Sequence, residues 1–296
     1  MTHPPTHPAS PNIHPSAQIH PSAHIDPGAR IGADVVIERD VIVGPECSIG
    51  EGTRLRDRVV IVERTTIGKH NDIHPYAVLG GDPQDRAFNK DERGLLIVGD
   101  NNIIREHVTL NRSTGNEVPT RLGSGCMLMS ASHMGHNCQV GDRVVMANAC
   151  ILAGHSRIGD GCVLSGSTAV HQFTHVGQGV MFRGGAMVSQ HVPPFVIVGD
   201  HNRLSGLNRV GLRRNPAMKP EDRTEATIVY RALFRDREGT PIREVLAELR
   251  SRSWNTAATR MLDFVEDALS QTGPRARGLC TARALPVRAG VARDED

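Results

Sequence analysis

The chain has 296 residues, which is enough for one large domain and a smaller accessory one. Its formal net charge of +2 argues against a nucleic-acid or membrane-surface partner. No apolar run approaches the roughly 18 residues of a membrane-spanning helix, so no membrane span is predicted. The N-terminal segment lacks the apolar core of a secretory signal, and a cytoplasmic location is therefore expected.

An apolar residue recurs at every sixth position over most of the chain. One run extends without a miss from Ile13 to Leu79, and a second extends from Leu122 to Val188. A period of six matches neither an α-helix nor a simple strand alternation. Each hexad instead predicts a short strand with an inward apolar side chain, followed by a corner of Gly, Pro, Asp or Asn. Three hexads close one triangular coil, and coils stack at the strand spacing of about 4.8 Å.

Interruptions and endings of the repeat divide the chain. The helical pattern near the C-terminus predicts amphipathic helices, and the last stretch is rich in Arg, Ala, Gly and Pro without periodicity. Because the repeat is a scaffold, function is expected at its interruptions. The predicted order is a disordered N-terminus (1–11), a β-helix (12–200) with loops at 80–97 and 111–121, a helical domain (201–271) and a disordered tail (272–296).

The cysteines favour core packing over a metal site or disulfides. Five of the six occupy the small fifth position of a hexad, where an inward side chain is expected: Cys47, Cys126, Cys138, Cys150 and Cys162. The last four are spaced by twelve residues, so successive members lie on different faces of the prism. Buried thiols of this kind behave as small apolar side chains.

Several histidines fall near one column of the predicted prism. Eighteen residues after His136 comes Gly154, with His155 beside it, and eighteen further comes Gln172, so these positions lie about 5 Å apart per coil. Solvated corner histidines, a zinc site and a histidine general base all remain possible at this point. A neutral imidazole accepts a proton from a hydroxyl near pH 7, which favours the base.

Seven motifs then make the pattern specific: GGDPQD, NNIIREHVTLNRST, HMGHNC, ILAGH, TAVHQF, VPPFVIVGD and GLRR. In this order they resemble the acyl-[acyl-carrier-protein]–UDP-N-acetylglucosamine O-acyltransferases, a hexapeptide-repeat family. The resemblance implies a mainly β fold, a left-handed parallel β-helix with a C-terminal α-helical domain, assembled as a homotrimer. It also implies transfer of an (R)-3-hydroxyacyl chain from acyl carrier protein to the 3-hydroxyl of UDP-N-acetylglucosamine, the first step of lipid A biosynthesis. No metal or organic cofactor is expected.

The resemblance further implies roles for individual residues. His136 is expected to be the general base, and the Gly154 N–H is expected to stabilise the oxyanion. Gly184 is expected to set the length of the acyl chain, with Met181 helping to close the acyl groove. An acidic carrier protein calls for a basic dock, with Arg213, Arg214, Arg231 and Arg235 as candidates. The implied substrate-binding residues are Asp85, His133, His155, Gln172, Asn208 and Arg214.

Four positions depart from the family pattern. Ala87 replaces a lysine, Asn111 a histidine, Asn137 an aspartate and Asn215 a basic residue. These changes leave His136 in place, but they leave open how the sugar and nucleotide are held. The remaining alternatives are an acceptor sugar with a 3-amino group and a non-catalytic trimeric binding protein on the same scaffold.

Overall fold

The computed structural model of the protein describes residues 12–282; the termini 1–11 and 283–296, where the sequence predicts disorder, lie outside the described residues. Most of the described chain is a parallel β-helix of very short strands. Outside the interruptions and the last coil, strands of the β-helix pair with strands eighteen residues further on, as Gln18 pairs with Val36 and Ile151 with Ala169. One coil therefore contains three hexads, and the predicted β-helix is confirmed.

The described strands form three sheets, numbered here in the order in which the chain enters them. Sheet 1 contains Gln18–Ile19, Val36–Ile37, Arg54–Leu55, Asp72–Ile73, Ile103–Ile104, Met127–Leu128, Val145–Met146, Val163–Leu164, Met181–Phe182, Val196–Asp200, Arg203–Leu207 and Thr281–Ala282. Sheet 2 contains His24–Ile25, Ile42–Val43, Val60–Ile61, Val78–Gly81, Thr109–Asn111, His133–Met134, Ile151–Leu152, Ala169–Val170 and Met187–Val188. Sheet 3 contains Arg30–Ile31, Ser48–Ile49, Thr65–Ile67, Leu96–Val98, Thr120–Leu122, Gln139–Val140, Arg157–Ile158 and His175–Val176.

Inward side chains of the three sheets form one apolar core along the prism. The first residue of each hexad supplies most of it, and Ile37, Leu79 and Leu152 are fully buried. The cysteines at the fifth position are buried and unpaired, as the repeat predicts. Polar side chains are left at the corners, where residues such as Asn137 and His155 adopt the left-handed φ values of 58° and 60° that turn the chain into the next strand.

Both interruptions of the repeat leave the prism at the same edge. Residues 82–95 connect a strand of sheet 2 to one of sheet 3, and residues 112–119 make the same connection one coil later. Each loop is a little shorter than predicted, because the flanking residues continue the strand pairing, as Gly81 does with Asn111. The two loops therefore stand next to each other.

The C-terminal domain begins with β-structure before it becomes helical. Val196–Asp200 and Arg203–Leu207 form an antiparallel hairpin, so the start of the segment predicted to be helical is a strand. Helices of the described chain then follow in sequence, with α2 packed against α3 and α4; none has the length and apolar character needed to cross a membrane. These helices are α1 (Arg209–Arg214), α2 (Pro220–Phe234), α3 (Ile242–Arg250) and α4 (Thr256–Ser270).

The prediction of disorder from Thr272 onward is wrong for residues 272–282. They contain a 3₁₀ turn at Gly273–Arg275, and Thr281–Ala282 pairs in parallel with Arg203–Leu207. The backbone of His191 accepts from Cys280 at 2.9 Å and donates to Gly278 at 2.8 Å. These long-range contacts hold the segment, and composition alone does not encode them. We call residues 272–282 the C-terminal strap.

Candidate active site

The edge between sheets 2 and 3 carries the candidate site. Both loops, 82–95 and 112–119, leave the prism there. The corner that holds His136 lies on the same edge one coil further on, between His133–Met134 and Gln139–Val140. The eighteen-residue coil thus places the predicted histidines directly beside both interruptions.

The proton on the His136 ring is assigned by its neighbour. His136 is 9% exposed, and its Nδ1 lies 2.9 Å from Asn137 Oδ1. The same oxygen accepts the Thr114 backbone N–H at 3.2 Å, while Asn137 Nδ2 donates to the Val118 carbonyl at 3.1 Å. A backbone N–H only donates, so the Asn137 atom facing the ring is its carbonyl oxygen. Nδ1 of His136 therefore carries the proton, and Nε2 presents a lone pair.

Nε2 of His136 lies between a backbone donor and a carboxylate. A Cβ atom at Gly154 would stand 2.5 Å from Nε2, so only glycine leaves room for the ring. No acceptor within residues 12–282 takes the Gly154 N–H, which leaves it available to a ligand. On the loop side, Asp85 Oδ2 is 4.0 Å from Nε2. The arrangement offers a proton acceptor and an oxyanion donor within one small space.

The two histidines nearest to His136 are neutral at neutral pH. Burial, with the nearby His136 as a second cause, lowers the pKa of both His133 and His155 below the ordinary value of 6.5. His133 Nδ1 is 2.7 Å from Thr109 Oγ1. The His155 ring meets His136 edge-on, with centroids 5.1 Å apart, and stacks on Phe173 at 4.7 Å. These rings therefore line the site without adding charge.

The predicted column continues to Gln172. Its neighbour Phe173 donates a backbone hydrogen bond to Gly154 at 3.2 Å, and the Gln172 side chain is exposed.

The C-terminal strap adds two arginines here that sequence reasoning missed. Arg277 Nη2 lies 2.7 Å from His171 Nδ1, and Arg275 lines a small cavity beside the column.

Asn208 and Arg214 lie on a different edge of the prism. Asn208 caps α1, accepting the Gly211 N–H at 2.9 Å, and donates to the Gly179 carbonyl at 3.0 Å. Gly179 belongs to the corner between sheets 3 and 1, and Arg214 is exposed at the end of α1. A single chain therefore does not bring these two residues to the His136 edge.

Gly184 and Met181 occupy the third edge, where sheet 1 leads into sheet 2. The nearest atom to a Cβ at Gly184 would be the Gly166 carbonyl oxygen at 3.7 Å, so the position has room for a side chain. Met181 points outward from sheet 1 and is partly buried, whereas Phe182 points into the core and is fully buried. Phe182 is therefore unable to narrow a surface groove.

The positions that depart from the family pattern have local partners. The Ala87 N–H donates to Asp85 Oδ1 at 2.9 Å, and Asn111 Nδ2 donates to the Asp82 carbonyl at 2.6 Å.

Sequence reasoning missed Arg112, which follows Asn111 and whose side chain is 4% exposed between two carboxylates. The only available signal was a basic residue next to a strand end in the NRST motif. Among residues 12–282, no three His, Cys, Asp or Glu side chains are grouped so as to hold a metal ion.

Comparisons with known proteins agree with this architecture. Residues 191–280 match the family model described as Udp N-acetylglucosamine O-acyltransferase; Domain 2, and residues 10–121 match the GMPPB C-terminal domain. A UDP-N-acetylglucosamine acyltransferase from Campylobacter jejuni superposes with a TM-score of 0.76 at 31% identity, covering 92% of this chain and 100% of that one.

Two curated proteins named acyl-[acyl-carrier-protein]–UDP-N-acetylglucosamine O-acyltransferase are similar over most of their length. The one from Gloeothece citriformis is 36% identical over 218 residues, which is 73% of this chain and 78% of that protein. The one from Syntrophobacter fumaroxidans is 40% identical over 221 residues, which is 73% of this chain and 84% of that protein. The family predicted from the motifs is confirmed: the chain belongs to the acyl-[acyl-carrier-protein]–UDP-N-acetylglucosamine O-acyltransferases.

Proposed function

We propose that the protein transfers an (R)-3-hydroxyacyl chain from acyl carrier protein to the 3-hydroxyl of UDP-N-acetylglucosamine, the first step of lipid A biosynthesis, in the cytoplasm. One observation carries this proposal beyond family membership. The lone pair of His136 Nε2 lies beside the Gly154 N–H, which no acceptor among residues 12–282 takes, so a base is paired with an oxyanion donor. Acyl transfer from a thioester needs these two groups, because the thioester is already activated.

In the proposed mechanism, His136 Nε2 takes the proton of the sugar 3-hydroxyl as the oxygen attacks the thioester carbonyl carbon. The negative charge moves to the carbonyl oxygen, where the Gly154 N–H donates to it. The intermediate collapses, the carbon–sulfur bond breaks, and the imidazolium returns its proton to the leaving thiolate. Asp85, 4.0 Å from Nε2, favours the transient imidazolium.

The acceptor sugar is proposed to lie over the His136 corner. Asp85 binds the glucosamine part, while His133, His155 and Gln172 line the path of the substrate along the column. Because His133 and His155 are neutral through burial, they serve as hydrogen-bonding walls rather than as competing acids.

Apolar outward rows on two faces support a homotrimer. Sheet 2 exposes Ile42, Ile151 and Met187 by 44%, 48% and 49%, and sheet 1 exposes Ile103 by 42%. Sheet 3 carries three outward arginines, Arg30, Arg121 and Arg157, whereas the outward row of sheet 1 includes Arg54. Two different apolar faces suit a head-to-tail interface that closes into a ring. In a ring, Asn208 and Arg214 of one copy reach a sugar nucleotide held at the His136 edge of the next.

Replacing Ile151 with aspartate is expected to break this assembly. The substitution places an unpaired carboxylate in the apolar row of sheet 2, and burying that charge in each subunit interface costs several kcal/mol. Light scattering should then give a mass near the 32.1 kDa of one chain instead of three times that value. Thr66→Asp, at an exposed outward position of sheet 3, is the matched control and should stay trimeric. A trimeric Ile151→Asp protein would contradict the proposed interface.

The basic dock for acyl carrier protein is proposed on the C-terminal domain. Arg231 of α2 and Arg235, the residue that follows α2, line a groove of about 1030 Å³ together with Arg183, Arg203 and Arg209. Five guanidinium groups around one groove attract an acidic partner and speed its approach. Arg213 and Arg214 at the end of α1 extend the positive charge.

Gly184→Met is expected to shorten the preferred acyl chain. The position is open, with no atom closer than 3.7 Å to an added Cβ, so a long side chain enters the space beside Met181 instead of clashing with backbone. The kcat/KM for the longest accepted donor should fall by roughly 10- to 200-fold, while shorter donors retain activity. Acyl-transfer rates with a series of 3-hydroxyacyl carrier proteins measure this change. An equal loss for all donors would contradict the assignment.

An acyl-transfer assay tests the proposed function directly. Purified protein is incubated with UDP-N-acetylglucosamine and a panel of 3-hydroxyacyl carrier proteins, and the product is identified by mass spectrometry. Formation of the 3-O-acyl product supports the proposal. Transfer only to a 3-amino analogue would mean that the acceptor is a sugar with a 3-amino group. No transfer by a folded trimer would favour the interpretation as a non-catalytic binding protein.

A further inference from the structure

Asp85 is held by few contacts of its own. Its carboxylate is 37% exposed, accepts the Ala87 N–H at 2.9 Å, and faces His136 Nε2 at 4.0 Å. The bond to Ala87 is internal to the loop, so it does not fix the loop relative to the prism. The position of Asp85 must therefore depend on how residues 82–95 are attached to the β-helix.

Arg112 attaches the start of this loop. Its Nη2 pairs with Glu63 Oε1 at 2.6 Å and with Asp82 Oδ1 at 2.7 Å, and its Nη1 donates to the Gly80 carbonyl at 3.2 Å. Glu63 belongs to the preceding coil, whereas Gly80 and Asp82 form the root of the loop. One buried guanidinium thus joins the loop to the scaffold.

The same side chain also contacts the loop beyond Asp85. Cζ of Arg112 lies 5.7 Å from the centre of the Phe88 ring, and the Phe88 N–H donates to the Asp85 carbonyl at 3.1 Å. Arg112 therefore grips the loop on both sides of Asp85. Two residues further along, Thr114 donates to Asn137, the residue that orients His136. A single strand end thus attaches both the base and the loop carboxylate.

We call Arg112 and its contacts to Glu63, Asp82, Gly80 and Phe88 the Arg112 clamp. The energetics favour a geometric role for this clamp. A buried ion pair is weak evidence for stability, because desolvation offsets its Coulombic gain. Within the described residues, Arg112 Nε is buried without a hydrogen-bond partner, so the clamp is not optimised for stability alone. Arg112 uses Nη2 for both carboxylates, Nη1 for the Gly80 carbonyl and its planar group against the Phe88 ring, and the single nitrogen of an ammonium does not reproduce this set of contacts.

We propose that Arg112 is a positioning residue for the acceptor sugar, which sets the distance between Asp85 and the His136 base. The inference rests on the proposed function, because Asp85 acts there as the sugar-binding carboxylate. Arg112 acts only through Asp85 and does not touch the substrate.

Steady-state kinetics of Arg112→Lys test this role. Lysine keeps the charge but loses the fork, so KM for UDP-N-acetylglucosamine should rise and kcat/KM should fall by roughly 10- to 100-fold, as for other misplaced substrate contacts. KM for the acyl carrier protein should not change. In the background of Asp85→Ala, Arg112→Lys should change kcat/KM by less than about twofold, because the two residues act as one unit.

Arg250→Lys is the matched control. Arg250 also lies between two carboxylates, Asp263 and Glu266, each at 2.7 Å, but in the helical domain. The Arg250→Lys variant should leave both KM values, for UDP-N-acetylglucosamine and for the acyl carrier protein, unchanged. If Arg112→Lys does not fold, Asp82→Asn removes the loop partner and keeps the Arg112–Glu63 pair, and it should raise the same KM.

Three results would overturn the inference while leaving the proposed function intact. They are unchanged sugar kinetics in Arg112→Lys, equal effects on both substrates, and full additivity with Asp85→Ala. Failure of the proposed function looks different, because the wild-type protein would then neither transfer acyl groups nor bind UDP-N-acetylglucosamine in a calorimetric titration. That outcome would remove both proposals together.

Discussion

Replacing His136 with alanine is expected to lower kcat for acyl transfer by roughly 10²- to 10⁴-fold, the usual contribution of a positioned general base. Nε2 of His136 is the proton acceptor that stands beside the Gly154 N–H. His133 is a weaker base than an ordinary histidine, because burial lowers the pKa of its imidazole, so it does not replace His136. The His155 ring lies edge-on to His136, one coil away.

The loss should be chemical and not a failure to fold. His136 occupies a corner, outside the inward row that forms the core, so the thermal midpoint should change little. Single-turnover transfer separates the chemical step from binding, and the KM for UDP-N-acetylglucosamine should stay within a few-fold of wild type. His201→Ala, at an exposed hairpin turn, is the control and should be fully active. A His136→Ala protein within tenfold of wild-type kcat would remove the residue from this role.

The β-helix could be predicted because the hexad records which side chains point inward. A single-residue slip would move the inward row to the surface, so an unbroken row from Ile13 to Leu79 specifies the register by itself. The same regularity made the column predictable. Once a coil has eighteen residues, His136, Gly154 and Gln172 must stack, and the structure has Gly154 directly against the His136 ring.

Residues outside the repeat could not be placed in this way. Asp85 lies in an insertion, and its distance to His136 depends on ion pairs between Arg112, Glu63 and Asp82 that have no sequence period. The orientation of His136 likewise depends on Thr114 and Val118, which reach Asn137 from the second loop. The motif resemblance named Asp85 and His136, but not the residues that bring them together.

The C-terminal strap shows where composition misleads. Arg, Gly and Pro after Thr272 suggested disorder, yet Cys280 is fully buried and Thr281–Ala282 adds a strand to sheet 1. A short strand gains its stability from the partner it pairs with, which here lies far away in sequence. Asn208 is a related case, because its capping bond to Gly211 is a structural use that the nucleotide-binding expectation did not include.

Gly154→Ala is expected to lower kcat by roughly 10²-fold although the backbone N–H is kept, because a displacement of the base by about 1 Å costs that much. The added Cβ would stand 2.5 Å from Nε2 and 2.7 Å from Cε1 of His136. The ring must turn away, and its hydrogen bond to Asn137 then lengthens or breaks. Kinetics with both substrates, together with the thermal midpoint, measure the effect.

A double substitution separates this cause from a general loss of structure. If Gly154→Ala acts by displacing the imidazole, it should add little in the His136→Ala background, where the space of the ring is vacant. Gly28→Ala is the matched control, because it lies on the same edge near the N-terminal end and its Cβ meets only Asp26 Oδ1, at 3.2 Å. If the losses of Gly154→Ala and His136→Ala add fully in the double variant, Gly154 contributes through its oxyanion donor independently of His136. Wild-type activity of Gly154→Ala alone would show that the His136 ring accommodates the added Cβ without loss, and it would contradict this prediction.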